Sequence, residues 1–294
     1  MSKQPPTTTF TGSSATDQAI AGFVAGAAST LILHPMDLVK TRFQLNTSAI
    51  RPSTIATFAS VWRNEGRIRG LYRGVGPNFA GATASWGLYF WWYTIIKDWM
   101  RDSPSEQLGP TQHLLASAEA GALTAMFTNP FWVVKTRMCA TRASDPGAYP
   151  SLRAALPRMW REEGLRGYYK GLLPAFLGVS HGALQFMAYE EMKQRATSPG
   201  QLEYIGMAAA SKVFATVCTY PYQVLRSRLQ SHVGKSELYD GVIGTIRTIF
   251  RNEGLGGFYK GMGVNIVRVL PGTCVTFGVY EAISKLFRVY GTAP

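Results

Sequence analysis

Three charged side chains lie inside stretches of the sequence that are otherwise uncharged and largely apolar. Glu119, Lys212 and Arg268 each interrupt such a stretch, at a place where no other Asp, Glu, Lys or Arg is near. A charge in hydrocarbon is costly, so side chains of this kind face a protein interior or a watery cavity. Lysine and arginine in a cavity bind anionic groups. The pattern points towards a transport path.

A second set of charges recurs three times behind a proline. A proline late in a helix removes a backbone hydrogen bond and bends the helix, so the next turn can swing inwards. The positions two and five residues after the proline share one helical face and could form a gate. We call this pattern the proline motif. Its copies are Pro35-Met-Asp-Leu-Val-Lys-Thr-Arg42, Pro130-Phe-Trp-Val-Val-Lys-Thr-Arg137 and Pro221-Tyr-Gln-Val-Leu-Arg-Ser-Arg228.

A second line of motifs follows each proline motif in the same order. It consists of a Glu-Gly pair and then an aromatic residue, a base and a glycine. The copies are Glu65-Gly66 with Tyr72-Arg-Gly74, Glu163-Gly164 with Tyr169-Lys-Gly171, and Glu253-Gly254 with Tyr259-Lys-Gly261. Recurrence in order predicts three copies of a two-span unit that enclose one cavity. We expect the repeats at residues 18–105, 106–200 and 201–294, after a flexible tail over residues 1–17.

Composition supports a membrane protein. Of the 294 residues, 46% are hydrophobic and 16% are charged, which is too little charge for an ordinary soluble surface. A transmembrane helix needs about 20 residues, and six stretches come close to that length. They are residues 18–36, 74–96, 114–134, 171–189, 205–225 and 264–279. We therefore expect an all-α membrane protein with six transmembrane helices.

The net charge of +13 is explained by topology. Most bases fall in the loops 40–73, 135–170 and 226–260, which lie on one side of such a bundle. The excess charge therefore does not indicate nucleic-acid binding. The sequence has no nucleotide-binding loop, nucleophile elbow or metal-spaced Cys and His set, so we expect neither an enzyme nor a metal or cofactor site.

The triple pattern resembles the mitochondrial carrier family over residues 18–290. The resemblance implies a monomer of six transmembrane helices with pseudo-threefold symmetry and short helices on the matrix side. It also implies the mitochondrial inner membrane, with both termini towards the intermembrane space, and alternating matrix and cytoplasmic gates around one small anionic solute. The aromatic-base-glycine endings suit anionic lipid headgroups, cardiolipin in particular.

Family geometry places the matrix gate at the proline motifs, but the acid positions here read Asp37, Trp132 and Gln223. We expect one full ion pair, most simply Asp37 with Lys135. In the other two, Gln223 would hydrogen-bond Lys40 and Trp132 would offer its ring to Arg226. A glutamine brace would lie below. The predicted matrix gate is Asp37, Lys40, Lys135, Gln223, Arg226, Gln44 and Gln230.

Family geometry also implies a cytoplasmic gate on the even-numbered helices. The residues that match it are Lys97, Glu190, Lys193 and Glu281. Two of the three copies lack either the acid or the base. Gates with few ion pairs cost little free energy to open. We therefore expect transport that does not strictly require counter-exchange.

The nature of the solute is predicted from the branch of the family that this sequence resembles. The runs Ala84–Phe90, Gly178–Glu190 and Thr219–Val224 look like carriers of FAD and of folates. FAD is the expected solute, and folates, NAD, pyrimidine nucleotides and CoA-like cofactors remain alternatives. A structural partnership of Lys212 with Glu119 also stays open. The predicted solute contacts are Arg268, Lys212, Gly81, Leu177, Gly178, His181, Gln185 and Trp132.

Overall fold

The computed structural model describes residues 10–11, 14–47, 53–101, 108–196, 200–231 and 241–290. Its regular structure is helical throughout these ranges. In chain order the helices are α1 (Ser14–Leu45), α2 (Thr54–Asn64), α3 (Ile68–Leu71), α4 (Val75–Trp99), α5 (Pro110–Ala140), α6 (Leu152–Tyr168), α7 (Leu172–Phe176), α8 (Val179–Arg195), α9 (Gln201–Ser231), α10 (Gly241–Glu253) and α11 (Met262–Tyr290). A 3₁₀ turn, Leu255–Tyr259, precedes α11.

The long helices reach membrane-spanning length. The shortest of the five unbroken ones, α4, has 25 residues, and α1 has 32. At about 1.5 Å per residue each exceeds the ~30 Å hydrocarbon core. The fourth predicted span is divided into α7 and α8, because tight hydrogen bonds around Leu177 and Gly178 end one helix before the next begins.

Hydropathy alone marks fewer of the described helices as spans than the six predicted from charge-free length. Thr16–Leu45 and Leu255–Tyr290 pass, and the pair Leu152–Tyr168 and Leu172–Arg195, bent by 55°, is a third candidate. The remaining long helices contain many Trp, Tyr, Gly and Thr residues. Such residues lower the mean hydropathy without shortening the helix.

The long helices form a closed ring. Helix α4 packs along α5, α8 along α9, and α11 returns to α1. The helices that carry the proline motifs, α1, α5 and α9, also contact one another. Each of them runs through its proline without interruption. The ring thus brings the three proline motifs together at one end of a central space.

Small apolar clusters fix the short helices against the proline end. One of them joins Val133, Val134 and Met138 of α5 to Ala155 and Met159 of α6. Equivalent clusters hold α2 and α3 against α1, and α10 against α9. The threefold pattern of the sequence therefore reappears as threefold packing.

The aromatic-base-glycine endings place the second span of each repeat against the next repeat. Gly171 has φ +72°, and a Cβ there would lie 2.9 Å from the Cγ of Gln230 and 3.1 Å from the carbonyl oxygen of Arg226. Only glycine tolerates both the backbone conformation and this close approach. The chain can then enter α7 in direct contact with α9.

Repeat one contains one extra residue between its Glu-Gly pair and its tyrosine. In the other repeats the glycine of that pair, Gly164 or Gly254, has φ near +60°. In repeat one the corresponding backbone shape falls on Arg67, with φ +56°. The extra residue is thus accommodated by a strained, exposed arginine.

The segment predicted as a flexible tail is only partly described. Residues 1–9 and 12–13 lie outside the described residues. Asp17 accepts hydrogen bonds from the backbone N–H groups of Phe10 and Thr11 at 2.8 and 3.1 Å. The Phe10 ring stacks on Phe287 of α11, with 5.2 Å between centroids. These contacts tie Phe10 and Thr11 to the bundle.

Candidate functional site

The ring encloses a cavity with two adjoining lobes. The first lobe has a volume of about 650 Å³ and the second about 510 Å³, within the range usual for ligand sites. Asp37, Trp132, Lys135, Tyr222 and Arg226 belong to the first lobe, and Lys212, Thr216, Asn265 and Thr276 to the second. The wall common to both consists of Ser29, Leu33, Lys40, His181, Gln223 and Arg268.

The cavity carries a strong excess of positive charge. Among the described residues that line it, one is acidic and five are basic: Asp37 against Lys40, Lys135, Lys212, Arg226 and Arg268. Cations in a confined space with low-dielectric walls attract anions and hold them through charge-assisted hydrogen bonds. The arrangement is suited to an anionic ligand.

The acid of the predicted matrix gate forms its ion pair with a residue other than the one expected. Asp37 pairs with Arg268. Among the described residues no ion pair joins Asp37 to Lys135, which acts on Asp37 electrostatically from a greater distance. The Asp37 side chain is 14% exposed and that of Arg268 31%. Helix α11 packs along α1, so a long guanidinium arm reaches the carboxylate directly. Lys135 lines the same lobe.

The other two expected contacts of this gate are present. Lys40 donates a hydrogen bond to the Oε1 of Gln223 at 3.2 Å, which joins α1 to α9. The guanidinium of Arg226 lies over the Trp132 ring, 5.8 Å from a ring centroid, which joins α9 to α5. A neutral amide and an aromatic ring thus replace two of the family's carboxylates.

The glutamines below the gate make several hydrogen bonds between repeats. The Nε2 of Gln44 donates to the Tyr220 hydroxyl at 3.2 Å, and its Oε1 accepts from Ser227 at 2.7 Å. The Oε1 of Gln230 accepts from the Thr136 hydroxyl at 2.9 Å. Both side chains are buried. They link the ends of the proline-motif helices.

A ring of three arginine-glutamate pairs was not predicted from the sequence. The last arginine of each proline motif binds the Glu of the same repeat's Glu-Gly pair, and its Nε donates to a backbone carbonyl of the next repeat. The pairs are Arg42–Glu65, Arg137–Glu163 and Arg228–Glu253, and the carbonyls belong to Cys139, Gln230 and Gln44. The recurrence of both residues in all three copies was the signal that could have found them.

Two of these ion pairs lower the pKa of the acid that takes part in them. Burial alone would raise the pKa of Glu163, but hydrogen bonds and positive charge from Arg137 and Lys170 outweigh it and lower the pKa below 4.5. Glu253 follows the same pattern: burial opposes the shift, and Arg228 and Lys260 lower its pKa. Both carboxylates are therefore ionised at neutral pH.

The residues predicted for the cytoplasmic gate interact within single helices. Lys193 lies 3.9 Å from Glu190, and Glu281 pairs with Lys285 at 2.9 Å. The Lys97 ammonium lies 5.9 Å from the ring centroid of Tyr93, also on its own helix. None of these contacts ties one helix to another.

Comparison with known proteins identifies the family. The family model described as "Mitochondrial carrier protein" matches residues 12–104, 106–200 and 197–291. The chain belongs to the mitochondrial carrier family. It is therefore a carrier, with the six-helix fold of that family.

Three relatives of this carrier cover nearly all of it. The chloroplastic folate transporter 1 of Arabidopsis thaliana is 39% identical, over 94% of this chain and 97% of that protein. The mitochondrial nicotinamide adenine dinucleotide transporter 2 of the same plant is 38% identical, over 91% and 78%. The mitochondrial FAD carrier protein of Saccharomyces cerevisiae is 35% identical, over 90% and 94%.

Some predicted solute contacts line the cavity of this carrier. Arg268 and His181 lie in the wall common to both lobes, Trp132 and Gly178 in the first lobe and Lys212 in the second. His181 Nδ1 lies 2.9 Å from the Thr219 hydroxyl, so the ring is held against α9. Their roles as solute contacts stay predictions.

Other predicted solute contacts lie away from the lining of the carrier's two lobes. Gly81 is buried, and a Cβ there would lie 3.1 Å from the Cβ of Phe131, so the space predicted for a solute ring is filled by α5. Leu177 is 54% exposed in the break between α7 and α8, and Gln185 lies two turns beyond it. Neither belongs to the lining described above.

Among the described residues, Lys212 does not pair with Glu119, its alternative structural partner. Glu119 is exposed on α5, whereas Lys212 lines the second lobe from α9. No ion pair joins them among the described residues. Lys212 therefore faces the cavity as a cation without that acid beside it.

Proposed function

We propose that this carrier transports FAD across the mitochondrial inner membrane, by alternating access through the two-lobed cavity. One observation carries the proposal: Lys40 and Arg268 lie in the wall that the two lobes share. FAD has the matching shape, because a central pyrophosphate joins two ring systems. The pyrophosphate would bind the central cations, and one ring system would enter each lobe.

The aromatic side chains favour the first lobe as the place for a flat ring. Trp132 and Tyr222 both line it. Offset stacking on such rings adds to the gain from burying apolar surface. Lys212, in the second lobe, would bind a pyrophosphate oxygen or a hydroxyl-rich linker from the other side.

The balance of charge in the cavity favours FAD over NAD and folate, the solutes that two of the relatives are named for. Five bases against one acid suit a pyrophosphate between neutral rings better than NAD, whose nicotinamide cation offsets one negative charge. Folate carries its carboxylates at one end, away from its ring system, which fits a central pair of cations less well. Folate is the second candidate, because a folate transporter is 39% identical to this carrier.

The small number of gate contacts favours a transport cycle in which opening the gate costs little free energy. In this proposal the proline end faces the matrix, and both termini face the intermembrane space. The proline end holds one ion pair, one lysine-amide hydrogen bond and one cation-ring contact. Such a gate costs less to open than three ion pairs, so FAD would also enter without an exchange partner.

The carrier would act as a monomer, with cardiolipin at the aromatic-base-glycine endings and without a cofactor.

The proposal is tested by uptake of labelled FAD into liposomes that contain the purified carrier. We expect saturable uptake, abolished by Arg268→Ala in a protein that still folds. Arg158→Ala is the matched control, because Arg158 forms an exposed pair with Glu162 on α6 and lines neither lobe of the cavity. Near-normal uptake by Arg268→Ala, or equal loss in both variants, would contradict the assigned role.

A further inference from the structure

The anion site at the centre of the cavity is already taken by a carboxylate of the protein. Asp37 forms an ion pair with Arg268, the arginine that lies between the two lobes. Among the described residues lining the cavity, Asp37 is the one acid. A solute anion that binds the Nη1 of Arg268 must therefore replace it.

We infer that Asp37 acts as an internal competitor for Arg268, and thereby selects solutes whose anionic group binds several cations at once. A solute with one carboxylate would exchange one carboxylate-arginine contact for another. It would gain little from the exchange and would still lose translational and rotational freedom on binding. Such a solute would be rejected.

A pyrophosphate meets a different balance. Its oxygens can contact Arg268 and Lys40 together, since both line the common wall, and Lys212 extends the cationic surface into the second lobe. Each charge-assisted hydrogen bond beyond the first has no counterpart in the Asp37 pair. The displaced carboxylate would remain in the first lobe, which Lys135 also lines.

Asp37 would thus be a specificity residue without touching the solute. The inference uses FAD only as the expected solute, and inorganic anions can test it independently. If FAD were not transported while the anion results below held, the proposed function would fail and the inference would stand. If FAD were transported but the anion results below failed, the inference would fail and the proposed function would stand.

The test measures thermal stabilisation of the full-length carrier in detergent by acetate, phosphate and pyrophosphate at constant ionic strength. For the natural protein we expect stabilisation by pyrophosphate and none by acetate. In Asp37→Asn the half-saturating pyrophosphate concentration should fall about tenfold, the scale of coupling between close charges. Glu191→Gln removes one negative charge from an exposed pair with Arg195 and should behave as the natural protein.

A double-mutant cycle distinguishes competition for Arg268 from a general change of potential. Arg268→Gln should lose pyrophosphate stabilisation, and adding Asp37→Asn to it should restore none. A gain from Asp37→Asn that persists without Arg268, or no gain at all, would overturn the inference. So would equal stabilisation of the natural protein by acetate and pyrophosphate. Asp37→Ser provides the same neutralisation if the asparagine variant does not fold.

Discussion

Two adjacent glutamates on α6 provide a direct test of the arginine-glutamate ring. Glu163 binds Arg137, whose side chain is fully buried, at 2.5 and 2.9 Å, and also pairs with Lys170 at 2.7 Å. Glu162 pairs with Arg158 at 2.7 Å, with both side chains about 40% exposed. Removal of one partner of a buried ion pair costs about 3–5 kcal/mol, whereas exposed pairs contribute little. The two positions therefore allow a matched comparison.

We predict that Glu163→Gln lowers the melting temperature of the carrier in detergent far more than Glu162→Gln. The glutamine still accepts one hydrogen bond, so the loss should be near 3 kcal/mol, the low end of that range, or roughly 6–12 °C at 2–4 °C per kcal/mol. Differential scanning fluorimetry at pH 7 measures both variants. Equal and small shifts would refute the view that the buried pairs hold the proline end together.

The same pair predicts a pH dependence. The pKa of Glu163 is lower in the folded protein than its ordinary value of 4.5. An acid whose pKa is lower in the folded than in the unfolded state stabilises the fold fully above its unfolded-state pKa. That contribution is lost as the pH falls through the folded-state pKa. The natural protein should therefore lose stability on acidification below pH 4.5, and Glu163→Gln should lose less.

Three further predictions concern single positions. Gly171→Ala should destabilise the carrier by about 2 kcal/mol or more in thermal unfolding, because of its positive φ and the 2.9 Å approach to Gln230. Gly182→Ala, with open space around it, is the control and should not lower stability. Arg67→Gly should raise stability by about 1 kcal/mol, since glycine relieves its φ of +56°. Lys212→Gln should raise the KM for FAD about tenfold with a smaller change in maximal rate, and an unchanged KM would contradict its place in the binding site.

The triple recurrence of motifs was enough to predict the architecture. Pro35, Pro130 and Pro221 fix three equivalent helices, and the intervening glycines require the same close turns each time. The family resemblance also predicted two gate contacts, Lys40 with Gln223 and Arg226 with Trp132, because in that geometry the partners occupy equivalent positions in neighbouring repeats. Repetition therefore carries most of the fold.

Contacts outside that symmetry could not be predicted in the same way. Asp37 forms its ion pair with an arginine on α11 that has no charged equivalent in the other two repeats. Family geometry pointed to Lys135, which acts on Asp37 from a greater distance. Gly81 was expected to leave a space for the solute, but a missing side chain also lets a neighbouring helix approach. Which of the two occurs depends on the packing of α4 against α5, and spacing along one chain does not determine it.

The identity of the solute is the central claim, and the most direct measurement is uptake of labelled FAD by the purified carrier in liposomes with unlabelled competitors. Empty and FAD-loaded vesicles would be compared, with FAD, folate, NAD and FMN each added outside. We predict saturable uptake inhibited most strongly by FAD itself, and measurable uptake into empty vesicles. Absence of FAD uptake in a preparation that moves folate or NAD would contradict the claim.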